Sequence, residues 1–202
     1  MKHPGLQYNR SLMKKTFLWL LFLLCGSASA FESPFSLRAP QTITASGTIE
    51  LAFSPEDDAG ALVIQAIRGA RKQILVQAYS FTHRKIAHAL IDARQRGVDV
   101  QVIADGEQVR RMERGLIPGI AAAGVPIFLD DSHDSAHNKI MVIDAGTHQS
   151  AVITGSFNFT QAAQYKNAEN LLLFRGNPQL TQAYLANWQR HRAHARAYQA
   201  ER

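Results

Sequence analysis

The chain has 202 residues, 46% of them apolar and 19% charged, and its formal net charge is +6. This length suits one domain and is too short for two ordinary ones, and the composition excludes a disordered chain. Four basic residues and no acidic residue lie in residues 1–30, so the rest of the chain has 18 basic and 16 acidic residues, a net charge of +2. A charge this small does not by itself indicate a nucleic acid partner.

Residues 1–30 have the pattern of a secretory signal peptide. Lys14 and Lys15 precede the apolar run TFLWLLFLLC, and an A-S-A cleavage site ends at Ala30. The apolar run is about half the roughly 20 residues that a membrane-spanning helix needs, so an uncleaved anchor is the weaker interpretation. We expect export to the periplasm or the medium, and a mature chain without disulfides, because the single cysteine, Cys25, is removed with the signal peptide.

Residues 31–47 are rich in Ser, Thr and Pro and are predicted to form a linker or arm before a domain at 48–202. In that domain strands first alternate with helices, as in parallel sheets with right-handed crossovers, and three closely spaced strands follow. The predicted fold is α/β, with a mixed, largely parallel sheet sandwiched between helices and an antiparallel part formed by the later strands. Strands are predicted at 49–53, 73–79, 98–105, 125–129, 137–144, 151–158 and 170–174, and helices at 55–71, 82–96 (capped by Thr82), 107–123 (broken near Pro118) and 178–200.

One predicted strand begins with polar groups. The segment HNKIMVID, residues 137–144, has an apolar middle, yet it opens with His137 and Lys139. Side chains alternate faces along a strand, so these two point the same way and Asp144 points the other way. We expect the first two to converge on a ligand and Asp144 to have a structural task.

Two further strand ends supply more polar groups. Ser156 and Asn158 share a face of the segment AVITGSFN, and Gly155 stands beside them, as is typical where a backbone or a ligand approaches closely. Glu169 precedes the segment NLLLF. Three strand ends are thereby predicted to bring together an imidazole, an ammonium, a hydroxyl, an amide and a carboxylate.

This set of groups suits the chemistry of a phosphodiester. Lys139 offers a point charge to phosphate, and Ser156 and Asn158 offer neutral donors to oxygens that gain charge in the transition state. The imidazole of His137 is a nucleophile near neutral pH if a carboxylate orients its other nitrogen, and Glu169 could supply that carboxylate.

The same residues resemble a known family. The spacing H-x-K-x4-D of residues 137–144, followed by G-S-x-N at 155–158, resembles the signature of the phospholipase D superfamily, and Glu169 falls where that family places a downstream acid. The segments QAYSFT and IAHALIDARQRGVDVQVIAD are similar to its small bacterial endonuclease branch, and the resemblance covers residues 49–175. The interval between the two motifs is longer than in the family, which predicts a longer hairpin at 145–150.

The resemblance implies a phospholipase D-like α-β-α fold and a mechanism. One histidine attacks phosphorus and forms a phosphohistidine, a second, protonated histidine gives a proton to the leaving oxygen, and water resolves the intermediate without a metal or another cofactor. Larger members carry two copies of the motif. This chain carries one, so the resemblance implies a homodimer that places two His137 side chains across one pocket.

Other polar segments have structural interpretations. His83 and Lys85 also form an H-x-K pair, but this pair begins an amphipathic helix and is predicted to lie on a solvated face. The stretch DDSHDSAH fits no known ligand spacing, so it is predicted to be a polar loop, and no metal site is predicted. Its candidate ligands are Asp130, Asp131, His133 and Asp134.

Two groups of basic residues are equally consistent with a solvated face and with contacts to a polyanion. The first lies in the third predicted helix and the second in the last one. Their members are Arg110, Arg111 and Arg114, and Arg190, Arg192, His194 and Arg196. Phe157 and Phe159 are predicted to be core residues, although Phe159 could stack on a base.

The leading hypothesis is a secreted, metal-independent, sequence-nonspecific endonuclease that cleaves DNA or RNA as a homodimer, with no stable membrane insertion after the signal peptide is removed. A lipid phosphodiesterase is the first alternative. It would need an apolar rim, whereas the segments expected to be exposed are polar. A catalytically silent nucleic acid-binding protein is the second alternative, and the intact set of His137, Lys139, Asn158 and Glu169 argues against it.

Overall fold

The computed structural model describes Met1, residues 38–112 and residues 115–199. The chain divides into two units, Met1–Gln41 and Thr42–Arg202, and the second contains the helices and strands. Apart from Met1, the predicted signal peptide and the first part of the predicted arm lie outside the described residues, and residues 38–46 have no regular secondary structure. Among the described residues, no helix has both the length and the apolar character needed to cross a membrane.

One mixed sheet forms the centre of the second unit. Its eight strands are β1 (Thr48–Ser54), β2 (Gln73–Ala78), β3 (Asp99–Asp105), β4 (Ile127–Asp130), β5 (Lys139–Ile143), β6 (Ala151–Gly155), β7 (Glu169–Arg175) and β8 (Arg196–Ala197), in the spatial order β1-β7-β6-β5-β2-β3-β4-β8. The predicted α/β class and the mixed sheet are confirmed. The expectation of a largely parallel sheet is wrong, because only β2–β3 and β3–β4 pair in parallel and the other five pairings are antiparallel.

Helices cover both faces of this sheet. They are α1 (Ala59–Gly69), α2 (Arg84–Gln95), α3 (Gly106–Arg111), α4 (Ile117–Ala122), α5 (Gln161–Tyr165) and α6 (Pro178–His194). The larger core lies between the sheet and α1, α2, α4 and α5, and it includes Ile67, Leu90 and Phe159. A smaller core on the other face packs Trp188 of α6 against the sheet. The apolar alternation of the strands accounts for both cores, since successive residues of a strand face opposite sides.

The first two helices begin later than predicted because side chains cap them. Asp58 accepts a hydrogen bond from the Ala61 amide at 2.8 Å, so α1 begins at Ala59 and not at Pro55. His83, not Thr82, caps α2 by accepting a hydrogen bond from an amide of the first turn. His83 is only 3% exposed, so its predicted place on a solvated face is wrong. Burial lowers the pKa of this imidazole.

Two later parts of the chain also differ from the prediction. The helix expected at 107–123 is two helices, α3 and α4, and Pro118 lies in the first turn of α4, where its missing N–H costs nothing. The last helix ends at His194, and the two-residue strand β8 then pairs with β4. Phe157 and Phe159 are 2% and 0% exposed, so both are core residues as predicted, and Phe159 is not free to stack on a base.

Candidate active site

Three neighbouring strand ends lie at one edge of the sheet. β5 begins at Lys139, β6 ends at Gly155 and β7 begins at Glu169. These strands are adjacent and antiparallel, so the start of β5, the end of β6 and the start of β7 meet at the same edge. The fold therefore places the polar ends together, as the sequence predicts.

His137 and Lys139 are in direct contact at this edge. Lys139 Nζ lies 2.8 Å from His137 Nδ1 and donates to the backbone carbonyl of His137 at 2.7 Å. The lysine is 6% exposed whereas the histidine is exposed. An ammonium only donates, so Nδ1 accepts from Lys139 and a neutral ring carries its proton on Nε2. Nε2 can therefore act as a nucleophile only after Lys139 has left Nδ1.

The surroundings of Lys139 reduce its basicity. Burial lowers the pKa of Lys139 from 10.5 to about 8, and the negative charge of Glu169 acts in the opposite direction. The ring of Tyr79 adds a weakly attractive surface, with its centroid 5.0 Å from Nζ. The same ring lies 4.3 Å from the His137 ring, centroid to centroid, and packs the imidazole in place.

The G-S-x-N segment turns tightly against the start of β7. Gly155 has φ +134°, and a Cβ there would lie 2.4 Å from the carbonyl oxygen of Asn170, so only glycine fits. Ser156 Oγ accepts a hydrogen bond from the Asn170 amide at 3.0 Å, and the amides of Ser156 and Phe157 both donate to the Asn170 carbonyl. Ser156 is thus held in a fixed position at the strand edge.

Asn158 carries an unpaired buried atom. Its Oδ1 is buried and has no hydrogen bond partner within the described part of the chain. Such atoms are rare in proteins, since an unpaired buried polar group costs about 1–3 kcal/mol, and they are often found at sites with a catalytic role or an unplaced ligand. The contact predicted for Asn158 is a donation from its Nδ2 to a phosphate oxygen, so that role stays a prediction.

Glu169 lies close enough to Lys139 to affect its pKa, but its hydrogen bond is with another residue. Glu169 Oε1 accepts from Asn167 Nδ2 at 3.0 Å, while His137 Nδ1 is engaged by Lys139. The predicted orientation of His137 by Glu169 is therefore not the arrangement of this structure. The role of Glu169 stays a prediction, and it would require Lys139 to release Nδ1.

Asp144 lies at the opposite end of β5 from His137. Its two carboxylate oxygens accept hydrogen bonds from the amides of Arg71, Lys72 and Gln73 at 2.7–2.9 Å, and the residue is 1% exposed. Its φ is +48°, the left-handed region that asparagine and aspartate tolerate best among residues with a side chain. Asp144 fixes the start of β2 and takes no part in the site, in agreement with its predicted structural task.

A cleft of about 340 Å³ opens beside the site. It is lined by His137, Lys139 and Gly155 together with residues of α6, among them Tyr184 and Asn187. A cleft of this size is within the range of small-ligand sites. One wall carries His137 and Lys139 and the other is the long helix, whereas Ser156, Asn158 and Glu169 are not among the lining residues.

Sequence reasoning misses two residues that contact the predicted site. Tyr79 packs against the His137 ring, and Asn170 positions Ser156. The sequence does offer a clue to Tyr79, because this residue ends the apolar segment QILVQAY. That segment contains β2, and its end lies beside the start of β5. The signal for Asn170 is weaker, because its contact with Ser156 depends on the register between β6 and β7.

Several basic residues are paired with acids. Arg110 and Arg196 bind the two carboxylate oxygens of Asp131 at 2.8 and 2.6 Å. Arg111 pairs with Glu107 at 2.6 Å. These ion pairs favour the interpretation of both groups as solvated faces.

The other basic residues have separate contacts. Arg190 donates to the side chain of Asn187 at 3.0 Å, and the guanidinium of Arg192 stacks 3.3 Å from the ring centroid of Phe128. Arg114 lies outside the described residues. A polyanion would have to compete with these contacts.

The stretch predicted to be a polar loop contributes to a cluster of ligand-type side chains. Asp130 and His133 meet His191 and His194 of α6, whereas Asp131 is engaged by arginines. Burial would raise the pKa of Asp130, but hydrogen bonds from the three imidazoles hold it well below its usual range. The sequence prediction gave His194 only as a basic residue and did not include His191, although the H-x2-H spacing places both on one face of a helix.

The fold is α/β, and one end of its sheet carries a histidine in direct contact with a lysine. The family described as "Cardiolipin synthase, PLD-like domain" matches residues 63–192. The chain therefore belongs to the phospholipase D superfamily. Membership supports phosphodiester cleavage as the class of reaction.

Individual relatives agree with this assignment. The crystal structure of Nuc, a phospholipase D family member from Salmonella typhimurium, is 35% identical, covers 77% of this chain and 100% of that chain, and superposes with a TM-score of 0.70. NucT from Helicobacter pylori shares the fold, with 24% identity over 76% of this chain and 100% of that chain and a TM-score of 0.68. A protein named phospholipase D from Rickettsia typhi is 35% identical over 140 residues, which are 69% of this chain and 66% of the relative.

Proposed function

We propose that the protein is a metal-independent phosphodiesterase, exported from the cell, that acts as a sequence-nonspecific endonuclease on DNA or RNA. The observation that carries this proposal is the contact of 2.8 Å between an exposed imidazole, His137, and a buried ammonium, Lys139. The likeness to Nuc, which covers that chain completely, supports a nucleic acid substrate. The export rests on the signal-peptide pattern of residues 1–30.

The first step is attack by His137. A phosphate that enters the cleft competes for the ammonium of Lys139, which then leaves His137 Nδ1. The ring then passes its Nε2 proton to solvent and takes one at Nδ1, and Glu169, which lies near this ammonium, accepts a hydrogen bond from Nδ1–H. Nε2 now has its lone pair free to attack phosphorus. A bond forms between Nε2 and phosphorus, the bond from phosphorus to the leaving oxygen breaks, and a second histidine gives that oxygen its proton.

The second step is hydrolysis of the phosphohistidine. The second histidine, now neutral, takes a proton from water, the resulting oxygen attacks phosphorus, and the bond to His137 breaks. Lys139 neutralises the phosphate oxygens in both steps, and Ser156 and Asn158 supply neutral contacts. The second histidine is His137 of a second copy of the chain.

A second copy has a surface available next to the site. Ile49, Leu51 and Phe53 lie on one face of the edge strand β1 and are 54%, 57% and 55% exposed. Phe53 is paired with Asn170, the residue that binds Ser156, so this apolar stripe reaches the site. Large apolar side chains rarely form a continuous solvent-exposed surface in a protein that works alone. An isologous dimer would bury the stripe on both copies.

The stripe also favours one alternative substrate. The expectation that the exposed segments are polar is wrong for β1, and an apolar surface beside the site is what a lipid phosphodiesterase would need. The name of the relative from Rickettsia typhi, phospholipase D, points the same way. A phospholipid is therefore the second candidate substrate.

One experiment separates the candidates. Purified protein is incubated in excess EDTA with supercoiled plasmid, with single-stranded RNA and with phosphatidylcholine vesicles. His137→Ala is the test variant, and His88→Ala, which removes an exposed histidine from α2, is the matched control. We expect the wild type and His88→Ala to cut the nucleic acids and His137→Ala to lose the activity.

Release of choline from the vesicles without cutting of nucleic acid would move the proposal to the lipid substrate. Absence of both activities from folded protein would refute the proposed reaction. Sedimentation of Leu51→Glu tests the dimer, since a charge in the centre of the stripe should shift the protein to monomers and lower the activity with it.

A further inference from the structure

Four side chains that commonly bind metals meet beyond the end of β4. Asp130, His133, His191 and His194 each offer one ligand atom, and these four atoms all lie within 4.8 Å of one another. The carboxylate of Asp130 is completely buried, while the side chains of His191, His194 and His133 are 15%, 35% and 46% exposed. The cluster is separate from the His137 site and takes no part in the reaction proposed there.

The fold brings the four residues together from two distant parts of the sequence. β8 pairs with β4 through Leu129 and Arg196, which fixes the end of α6 beside Asp130. His191 and His194 are three residues apart in the last turn of α6, so both face the same side. His133 follows Asp130 by three residues in the loop after β4.

The distances suit a coordination shell. His191 Nδ1, His133 Nδ1 and His194 Nε2 lie 2.8, 3.0 and 3.2 Å from oxygens of Asp130. Ligand atoms around a tetrahedral zinc ion, at about 2.0–2.1 Å from the metal, are about 3.3 Å apart. The pairs that are more widely spaced would need to approach by at most about 1.5 Å, which changes of side-chain torsion can supply.

We propose that this cluster binds one Zn²⁺ ion per chain, with Asp130, His133, His191 and His194 as its ligands. Three imidazoles and one carboxylate suit zinc, whereas calcium and magnesium prefer shells made of oxygen. The Ser132 amide donates to Asp130 Oδ1 at 3.1 Å and orients the carboxylate. Asp131 is not a ligand, because both of its oxygens are engaged by arginines.

A path for the ion is present. A cleft of about 540 Å³ along α3 is lined by Asp130 and His133, and the exposed part of the His133 side chain is the side from which an ion can enter. The bound ion would join α6, the loop after β4 and β4 itself. The same loop continues to His137, and the Ala136 amide fixes it by donating to Asp105 at 2.8 Å. The ion is therefore expected to stabilise the fold and the approach to His137.

Metal binding to the full-length chain tests this site directly. Protein freed of metal by dialysis against a chelator is titrated with Zn²⁺ in competition with a coloured chelator, and with Co²⁺ while the visible absorption is recorded. His194→Ala and His133→Ala remove partly exposed ligands, and His88→Ala removes an exposed histidine elsewhere. Melting temperatures with and without Zn²⁺, and circular dichroism of each variant, accompany the titrations.

We expect one Zn²⁺ per chain for the wild type and His88→Ala, intense Co²⁺ absorption typical of a tetrahedral site, and a melting temperature that rises with Zn²⁺. Loss of one ligand should weaken zinc binding by at least about tenfold and remove most of the rise. Less than stoichiometric binding by the wild type would refute the site and leave a cluster held by hydrogen bonds alone. Equal affinity in the wild type and in His194→Ala and His133→Ala would also refute it. Plasmid cutting in EDTA tests the His137 reaction separately, so the two proposals fail independently.

Discussion

Replacement of Lys139 by methionine should stabilise the fold while it removes the activity. Lys139 is 6% exposed, and burial lowers its pKa from 10.5 to about 8. That difference corresponds to a destabilisation of the folded state by about 3 kcal/mol, caused by the burial of the charged ammonium. Methionine has a similar length and no charge, so Lys139→Met should recover up to about 3 kcal/mol, reduced by the two contacts with His137 that are lost.

The gain should depend on pH in a defined direction. The folded-state pKa, about 8, lies below the unfolded value of 10.5, so the unfolded chain binds the proton more strongly. The buried charge of Lys139 therefore lowers the stability of the wild type by its full amount below pH 8. This destabilisation disappears as the pH rises from about 8 to about 10.5. The stability difference between Lys139→Met and the wild type should be largest near pH 7 and smallest near pH 10.5, where only the cost of the lost contacts is left.

Urea unfolding at pH 7, 8.5 and 10 measures this difference. Lys72→Met, which replaces an exposed lysine, is the control and should change the free energy of unfolding little at any pH. Nuclease activity of Lys139→Met is measured on the same preparations and should be absent. A variant that is less stable than the wild type at pH 7, or a difference that does not fall as the pH rises, would show that the buried charge of Lys139 does not destabilise the fold.

Three further substitutions test how the site is supported, each measured by the free energy of unfolding in urea. Asp144→Ala removes the acceptor of three backbone amides and should cost about 3 kcal/mol; a loss below about 1 kcal/mol would contradict its structural role. Gly155→Ala places a methyl group against the Asn170 carbonyl oxygen at a backbone φ of +134° and should lower the free energy of unfolding by about 2 kcal/mol or more. Gly69→Ala, at a helix end where the methyl group meets no other atom, is the control and should be neutral or stabilising. Trp188→Phe removes a 3.1 Å hydrogen bond to the carbonyl of Val76 and should cost about 1–2 kcal/mol, and an unchanged stability would show that this bond is dispensable.

The alternation of apolar residues predicts most of the strands and the layered architecture, because burial on one or both faces leaves a clear pattern. The site residues are predictable for a related reason: each lies at or next to the end of an apolar segment. The order and relative direction of the strands in the sheet are harder to predict from the sequence. The sequence shows that β5, β6 and β7 follow one another closely, but nothing local indicates that β1 pairs with β7 at the far edge.

The features that the sequence does not predict depend on contacts between segments that are far apart in the chain. β8 has two residues, too few for any periodicity, yet it fixes the end of α6. The four-residue cluster depends on that pairing, because Asp130 and His191 are 61 positions apart and neither has a metal-site spacing with the other. The contact between Lys139 and His137 Nδ1 is likewise a matter of side-chain geometry, which strand parity alone does not determine.

Trapping of the covalent intermediate tests the proposed reaction most directly. The protein is mixed with a short oligonucleotide in EDTA, quenched with denaturant at high pH during turnover, and examined by mass spectrometry of the intact chain and of its peptides. We expect a nucleotide adduct on the peptide that contains His137. It should be absent from His137→Ala and lost on mild acid treatment, because a phosphorus–nitrogen bond is labile in acid. Turnover of the oligonucleotide by the wild type with no adduct at His137, or an adduct that persists in His137→Ala, would contradict the proposed reaction.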